Sequence, residues 1–302
     1  MKVFLTNATG YVGGAIARRL IHKGHRVVAL LRTPQKADAM RALGIESLLG
    51  TLDETDKLAQ AAATADAVIH TAYDYSGKTF ADNVAKDRAV IAAFVGALAG
   101  TNKPLLVTSG SGMLGDTGSE PVSEEFPTDP LQPQDLLVRS LSERDTLRAA
   151  QRGVRSVLLR LPLYVYGNGG STFIPAQLAD AKQRGAAYRI GAGDNKLSAV
   201  HVEDLAELAM EKAPAGSLFN AANEHGITGR SIVDAVAQNL GVPARQVTAE
   251  EADAQEILPA WFRHWVFGNN QIDSKKAERL LGWTPAQRPG MVQDIASGSY
   301  KQ

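Results

Sequence analysis

Apolar residues in the first 110 positions alternate between two spacings. Short apolar runs at 3–6, 27–31, 67–71 and 105–108 predict buried strands, with a weaker one at 46–49. Between them the spacing becomes helical. Val12, Ile16 and Leu20 stand four apart on one face and stop near Gly24, and helical patterns fill 35–43, 56–63 and 82–98. Strand–helix alternation at this interval predicts an α/β fold with a parallel, doubly wound sheet covered on both faces. The second half is looser. It predicts helices over 135–151, 204–212 and 231–240, strands over 156–161 and 217–221, and a loop at 167–170, with proline and glycine scattered through the rest.

Where the first strand turns into the first helix the chain reads Leu5-Thr6-Asn7-Ala8-Thr9-Gly10-Tyr11-Val12-Gly13-Gly14. A glycine turn there lets backbone N–H groups and the positive helix end meet a pyrophosphate. Gly10 would permit close approach of the phosphates, and Gly13 close packing of helix on strand. Asn7 stands where a GxxGxxG pattern has its first glycine, and asparagine is the least penalised substitute at positive φ. The pattern predicts a Rossmann-type dinucleotide-binding unit over 1–160. A smaller, irregular substrate-binding region would span 161–302, with 200–221 returning to the first unit.

The end of the second predicted strand selects the cofactor. An acidic residue that would bind the adenosine ribose is expected there, but the chain reads Leu30-Leu31-Arg32-Thr33-Pro34-Gln35-Lys36. Arg32 stands where it would meet a 2′-phosphate, and Lys36 can add a second charge. NADP(H) is therefore favoured over NAD(H).

Composition narrows the remaining classes. The 302 residues carry 32 Lys and Arg against 32 Asp and Glu, with no basic block, which argues against nucleic acid as the partner. No cysteine is present, so thiolate chemistry, disulfides and thiolate zinc sites are excluded. The six histidines form no metal-ligand pattern. The longest apolar stretch, 89–99, is too short to span a bilayer, and the first residues lack a signal-peptide run, so a cytoplasmic location is expected. The segment 72–79 nearly matches a phosphate-binding P-loop, but Ala72 replaces its first glycine and Tyr73 and Tyr75 crowd it.

In these motifs the chain resembles the extended or atypical short-chain dehydrogenase/reductases, relatives of the NAD-dependent epimerase/dehydratases. The resemblance continues through Asp66-Ala67-Val68-Ile69-His70-Thr71-Ala72, Leu106-Val107-Thr108-Ser109-Gly110-Ser111, Leu159-Arg160-Leu161-Pro162, Val165-Tyr166-Gly167, the run from Val200 to Ala206, and Leu281-Gly282-Trp283-Thr284-Pro285. It implies that Thr71 and Ala72 line the cofactor and that Leu161, Pro162 and Leu163 flank the nicotinamide. With Asn7, Thr9, Gly10, Tyr11, Val12, Gly13, Arg32, Lys36, Ser109 and Arg139, these form the expected cofactor set. It also implies a helix start at 201–204 near the pocket, with Asp204 as its N-cap.

The family's proton chemistry uses a Ser or Thr, a Tyr, and a Lys four residues after the Tyr. With Glu143 as landmark, the Tyr falls on Asp135 and the Lys on Arg139. Arg139 can donate to a ribose, whereas an ionised Asp135 can only accept. Counting back from Gly115 puts the family's Ser on Gly110, between Ser109 and Ser111, whose hydroxyls either reach the substrate or cap the turn. Substitute acids stand at carboxyl ends of predicted strands. They are Tyr73 and Tyr75 after the fourth and Tyr164 and Tyr166 after the sixth, each either a donor or part of the pocket wall. The candidate catalytic residues are Ser109, Ser111, Tyr73 and Tyr164. The aromatic cluster Trp261-Phe262-Arg263-His264-Trp265 reads as a lid or as a core or dimer contact.

Three functions compete. The first is NADP-dependent hydride transfer to or from a small carbonyl or alcohol, with a non-standard proton donor. The second is a non-catalytic NADP-binding sensor or scaffold. The third is a nucleotide-sugar epimerase or dehydratase, disfavoured because that activity usually depends on the Tyr–Lys pair and because no basic cluster outside the turn awaits a diphosphate. The expected partner is a small molecule, with no membrane or nucleic acid. A homodimer through the helices at 82–98 and 135–151 is left open.

Overall fold

A computed structural model describes residues 1–301 apart from 128–137, 210–211, 260–261 and 263–267. Seven parallel strands form the main sheet. In chain order these are β1 (Lys2–Thr6), β2 (Arg26–Leu31), β3 (Glu46–Leu49), β4 (Ala67–His70), β5 (Pro104–Gly110), β6 (Arg155–Leu161) and, returning from the second half, β10 (Ser217–Asn220). Their spatial order is β3-β2-β1-β4-β5-β6-β10. The order reverses between β1 and β4, and a doubly wound sheet opens its ligand crevice at the carboxyl ends there.

Side chains alternate along the buried strands and sort into two cores. Val3, Leu5, Ile69, Leu106, Leu159 and Phe219 face one side, under α1 (Tyr11–His22) and α7 (Val202–Leu208). Phe4, Val68, Leu105, Val107 and Leu158 face the other, with Leu58 of α3 (Thr55–Ala63) and Val90, Ile91 and Phe94 of α4 (Phe80–Leu98). Helix α2 (Ala37–Ala42) follows a 3-10 turn, and α5 (Arg139–Arg148) precedes β6.

The C-terminal lobe holds a third core around Tyr164, Ile174, Leu178, Leu197, Ile232, Val236 and Ile295. It is more regular than the sequence pattern predicts. A three-stranded sheet joins β7 (Tyr164–Tyr166), β9 (Lys196–His201) and β11 (Glu224–Thr228), and β8 (Ala187–Ile190) pairs with β12 (Ala244–Val247). Around them lie α6 (Phe173–Arg184), α8 (Gly229–Leu240), α9 (Ala249–Ala254), α10 (Lys275–Leu281) and α11 (Met291–Ser297). Pro175 reads as a breaker but sits in the first turn of α6, where a missing N–H costs little.

Two boundaries differ for identifiable reasons. Helix α4 starts at Phe80 rather than 82, because Thr79 and Asp82 form a reciprocal capping box. Helix α7 starts at Val202, and its N-cap is His201, whose ring accepts from the Glu203 N–H. The expected cap, Asp204, is instead buried inside the first turn. Its Oδ1 accepts from the Ala286 N–H at 3.1 Å and its carbonyl from Trp283 Nε1 at 3.0 Å, pinning the 283–286 segment. Of the helix predicted over 135–151, Asp135 lies outside the described residues.

Candidate active site

The turn after β1 closes as its sequence predicts. Asn7 adopts φ 60°, the Gly10 N–H donates to the Asn7 carbonyl at 2.9 Å, and α1 begins at Tyr11. A Cβ on Gly13 would stand 2.2 Å from the Asn7 carbonyl oxygen, so this helix can meet the strand only through glycine. The space beside Gly10 is filled by the Asn7 side chain, 2.5 Å from where a Cβ would be. The N-terminus of α1 has no side-chain cap and no acidic residue in its first turn, which leaves its N–H groups free for an anion. The Tyr11 side chain turns away from the turn. Its hydroxyl donates to the Gly167 carbonyl at 2.7 Å, in a loop also held by Tyr300. Thr9 and Val12 are half-buried in the same turn.

The pairing of Thr6 with Leu30 places Arg32 just beyond the end of β2, beside the turn. Arg32 and Lys36 are exposed, and neither forms an ion pair among the described residues.

A buried polar chain starts at the end of β1. Thr6 Oγ1 accepts from the Thr71 and Ala72 N–H groups, both at 3.1 Å, and lies 2.9 Å from His70 Nδ1. With both lone pairs used, the Thr6 hydroxyl donates to Nδ1 and the His70 proton sits on Nε2. Nε2 then donates to Asp87 Oδ1 at 3.2 Å, and Asp87 Oδ2 accepts from Arg139 Nη1. Burial pushes the Asp87 carboxyl up. The His70 hydrogen bond and the Arg139 charge more than offset this, and the carboxyl ends at about 2. Arg139 also donates to the Thr108 carbonyl at 3.2 Å, and its Cζ lies 4.5 Å from the centroid of the Tyr73 ring. Thr6 and Asp87 carry no motif of their own. One signal for Asp87 was available: it occupies the stripe of α4 shared by Val84, Ile91 and Phe94, where an apolar residue is expected.

The four catalytic candidates part company. The Tyr73 hydroxyl and Ser109 Oγ are buried without a hydrogen-bond partner among the described residues, at the ends of neighbouring strands β4 and β5. Burial pushes the Tyr73 phenol up, the Arg139 charge draws it back, and Asp87 pushes it up again. Tyr75, 4.8 Å away between ring centroids, is exposed, and Phe80 flanks Tyr73 at 6.2 Å. The Ser111 hydroxyl instead donates to Asn270 Oδ1 in a buried contact that ties the β5 end to the lobe. Tyr164 lies in the core of the lobe, with its ring on Phe173.

Leu161 packs on the main core and Leu163 on the lobe core, with buried Pro162 between, so this segment crosses from one body of side chains to the other. Of the aromatic cluster, Phe262 is buried in the lobe beside Phe173, and the other four residues lie outside those described. No helix among the described residues is long and apolar enough to cross a membrane.

Comparison with known proteins shows the family and the fold. An uncharacterized protein of Schizosaccharomyces pombe is 36% identical over 306 residues, covering 99% of this chain and 100% of its own. The 2-alkyl-3-oxoalkanoate reductase of Stenotrophomonas maltophilia is 24% identical over 262 residues, 80% of this chain and 77% of its own. Among solved structures, dTDP-glucose 4,6-dehydratase from Bacillus anthracis in complex with NAD superposes with a TM-score of 0.77 at 14% identity. That match covers 99% of this chain and 95% of the other, and it shows the fold. The model of the NAD dependent epimerase/dehydratase family matches residues 3–222, from the first strand through the return of the chain to the sheet edge, and the chain belongs to that nicotinamide-dinucleotide-dependent family.

Proposed function

We propose that the protein is an NADP-dependent oxidoreductase that interconverts a small, partly apolar carbonyl compound and its alcohol. Tyr73 acts as proton donor and Arg139 as the cation beside it. The observation that carries this reading is the buried, unpartnered Tyr73 hydroxyl with the Arg139 guanidinium against its ring. The glycine cradle at Gly13 and the uncapped start of α1 fit a dinucleotide pyrophosphate, and the unpaired charges of Arg32 and Lys36 fit a 2′-phosphate. Bound there, a reduced nicotinamide supplies the hydride.

The chain's own residues handle the proton. Burial keeps the Tyr73 phenol protonated at neutral pH, so it can donate to the carbonyl oxygen as the carbonyl carbon is reduced. The Arg139 charge stabilises the phenolate left behind, which is the service a lysine gives in the family's Tyr–Lys pair. Here the phenol comes from the loop after β4 rather than from the helix that carries the cation. Ser109, also buried and without a partner among the described residues, serves in this reading as a second donor to the same oxygen. The aromatic neighbours Tyr75 and Phe80 suit an apolar substrate body. The Stenotrophomonas relative supports the carbonyl reading, since its substrate is an oxo acid with an alkyl branch.

The test is NADPH oxidation by the purified protein against aldehydes, ketones and 2-alkyl-3-oxo acids, with UDP-glucose as a nucleotide-sugar control. Turnover of a carbonyl compound is expected. Tight NADPH binding without turnover across the panel would replace the reductase with a sensor, and conversion of UDP-glucose would replace it with an epimerase.

A further inference from the structure

We propose that Asp87, backed by His70 and Thr6, is a positioning residue that holds the Arg139 guanidinium at the nicotinamide end of the cleft. This rests on the assignment of Arg139 to that end. Arg139 is long and its side chain is about one-seventh exposed, so its direction must be set by what it touches. Two acceptors set it: Asp87 Oδ2 and the Thr108 carbonyl. They lie on two different elements, α4 and β5, and take Nη1 and Nη2 respectively. The planar fork is thereby fixed in orientation as well as place, with its face on Tyr73 and donors left for a ligand.

Asp87 needs fixing in turn, and the structure supplies it. Its side chain is 2% exposed, so an unpaired carboxylate there would be costly. His70, 1% exposed, donates to the other oxygen. The tautomer that permits this is enforced by Thr6, whose lone pairs are consumed by the Thr71 and Ala72 N–H groups. Thr6 ends the strand that leads into the phosphate turn. One chain of hydrogen bonds therefore runs from the turn that receives the pyrophosphate to the arginine assigned to the other half of the cofactor. The pairing is also chemically selective. A lysine at 139 would present a point charge to Asp87 and could not hold Thr108 and Asp87 in one plane.

The test compares two ligands that share the adenosine end. NADPH reaches the nicotinamide half of the cleft, and 2′,5′-ADP does not. Dissociation constants for both are measured on the wild type, Asp87→Asn, Asp87→Glu, Arg139→Ala and the double variant Asp87→Asn/Arg139→Ala. Asp87→Asn is expected to weaken NADPH about 10-fold or more, the scale of one charge-assisted hydrogen bond, and to leave 2′,5′-ADP within about twofold. The double variant should bind NADPH no worse than Arg139→Ala alone, because both changes remove one interaction. Asp87→Glu should recover part of the loss. Unchanged NADPH affinity in Asp87→Asn, equal loss of both ligands, or additive losses in the double variant would each overturn the proposal. If Asp87→Asn does not fold, His70→Gln replaces it with the same criteria. Binding alone decides this point. Absence of turnover in the wild type would overturn the reductase and leave the positioning role to be judged on these constants.

Discussion

Among the described residues, two regions leave tyrosine hydroxyls buried without partners, and they differ in what surrounds them. In the lobe, Tyr164 shares a small cavity with two other unpaired atoms, Gln177 Oε1 and Arg189 Nε. The cavity measures about 30 Å³, room for roughly two waters and too little for a substrate. The Tyr164 hydroxyl faces Gln177 without closing a hydrogen bond, and its ring packs on Phe173. At the sheet ends, Tyr73 lies against a guanidinium that is itself pinned, and the neighbouring strand end carries a serine hydroxyl equally unpaired among the described residues. An unpartnered phenol is common to both. A guanidinium packed on the ring belongs to one, and that contact is the ground for proposing Tyr73 rather than Tyr164 as the donor.

The contrast is broken or sharpened most strongly by paired substitutions of the tyrosines. Tyr73→Phe should lower turnover about 10²- to 10⁴-fold, the usual contribution of a positioned acid, while NADPH affinity stays near wild type. Tyr164→Phe should leave turnover within about twofold, since it removes a hydroxyl that bonds nothing and touches no reacting atom. Equal effects of the two in a steady-state assay would erase the distinction. A smaller effect is expected from the arginines. Arg32→Asp should weaken NADPH about 10- to 100-fold and NADH far less, because the contact proposed for it is with the 2′-phosphate. Arg189→Gln in the lobe should change neither, and equal loss of both cofactors in Arg32→Asp would remove the preference for NADP.

The smallest effect is on stability toward acid. Asp87 titrates from its ordinary 3.8 down to about 2 in the fold, so its folded state binds the proton less readily than the unfolded chain. A depressed acid contributes stability that is full above its unfolded value and is lost as the pH falls through its folded value. Denaturant midpoints of the wild type should therefore fall between pH 3.8 and about 2, and those of Asp87→Asn should change less over the same window. Parallel curves would show that Asp87 is not held as a carboxylate.

Local features of the chain were enough for the dinucleotide-binding half. Strand residues such as Val3, Phe4 and Leu5 are buried on both faces and read as unbroken apolar runs. Asn7, Gly10 and Gly13 announce a turn whose conformation few other residues can adopt. Even the order of the motifs was sufficient to identify the family. The lobe was less legible, because its strands are three to six residues long and its helix α6 carries a proline in its first turn. Short elements of that kind gain their stability from the core around Ile174, Leu197 and Ile232, and no local pattern records that.

The same division runs through the site. Sequence alone showed a glycine turn at the start of α1, an arginine rather than an acid after β2, and the spacing from which Arg139 is proposed to take the place of the family's lysine. Each of these depends on spacing along one stretch of chain. Tertiary structure decided the rest. It separated Tyr73 and Ser109, left unpaired, from Ser111, held by Asn270, and from Tyr164, enclosed in the lobe. It also joined Thr6, His70, Asp87 and Arg139, which are separated by up to 64 residues between consecutive members. Whether a polar group is available for chemistry depends on which partners reach it, and those partners arrive from distant parts of the chain when the sheet and helices pack.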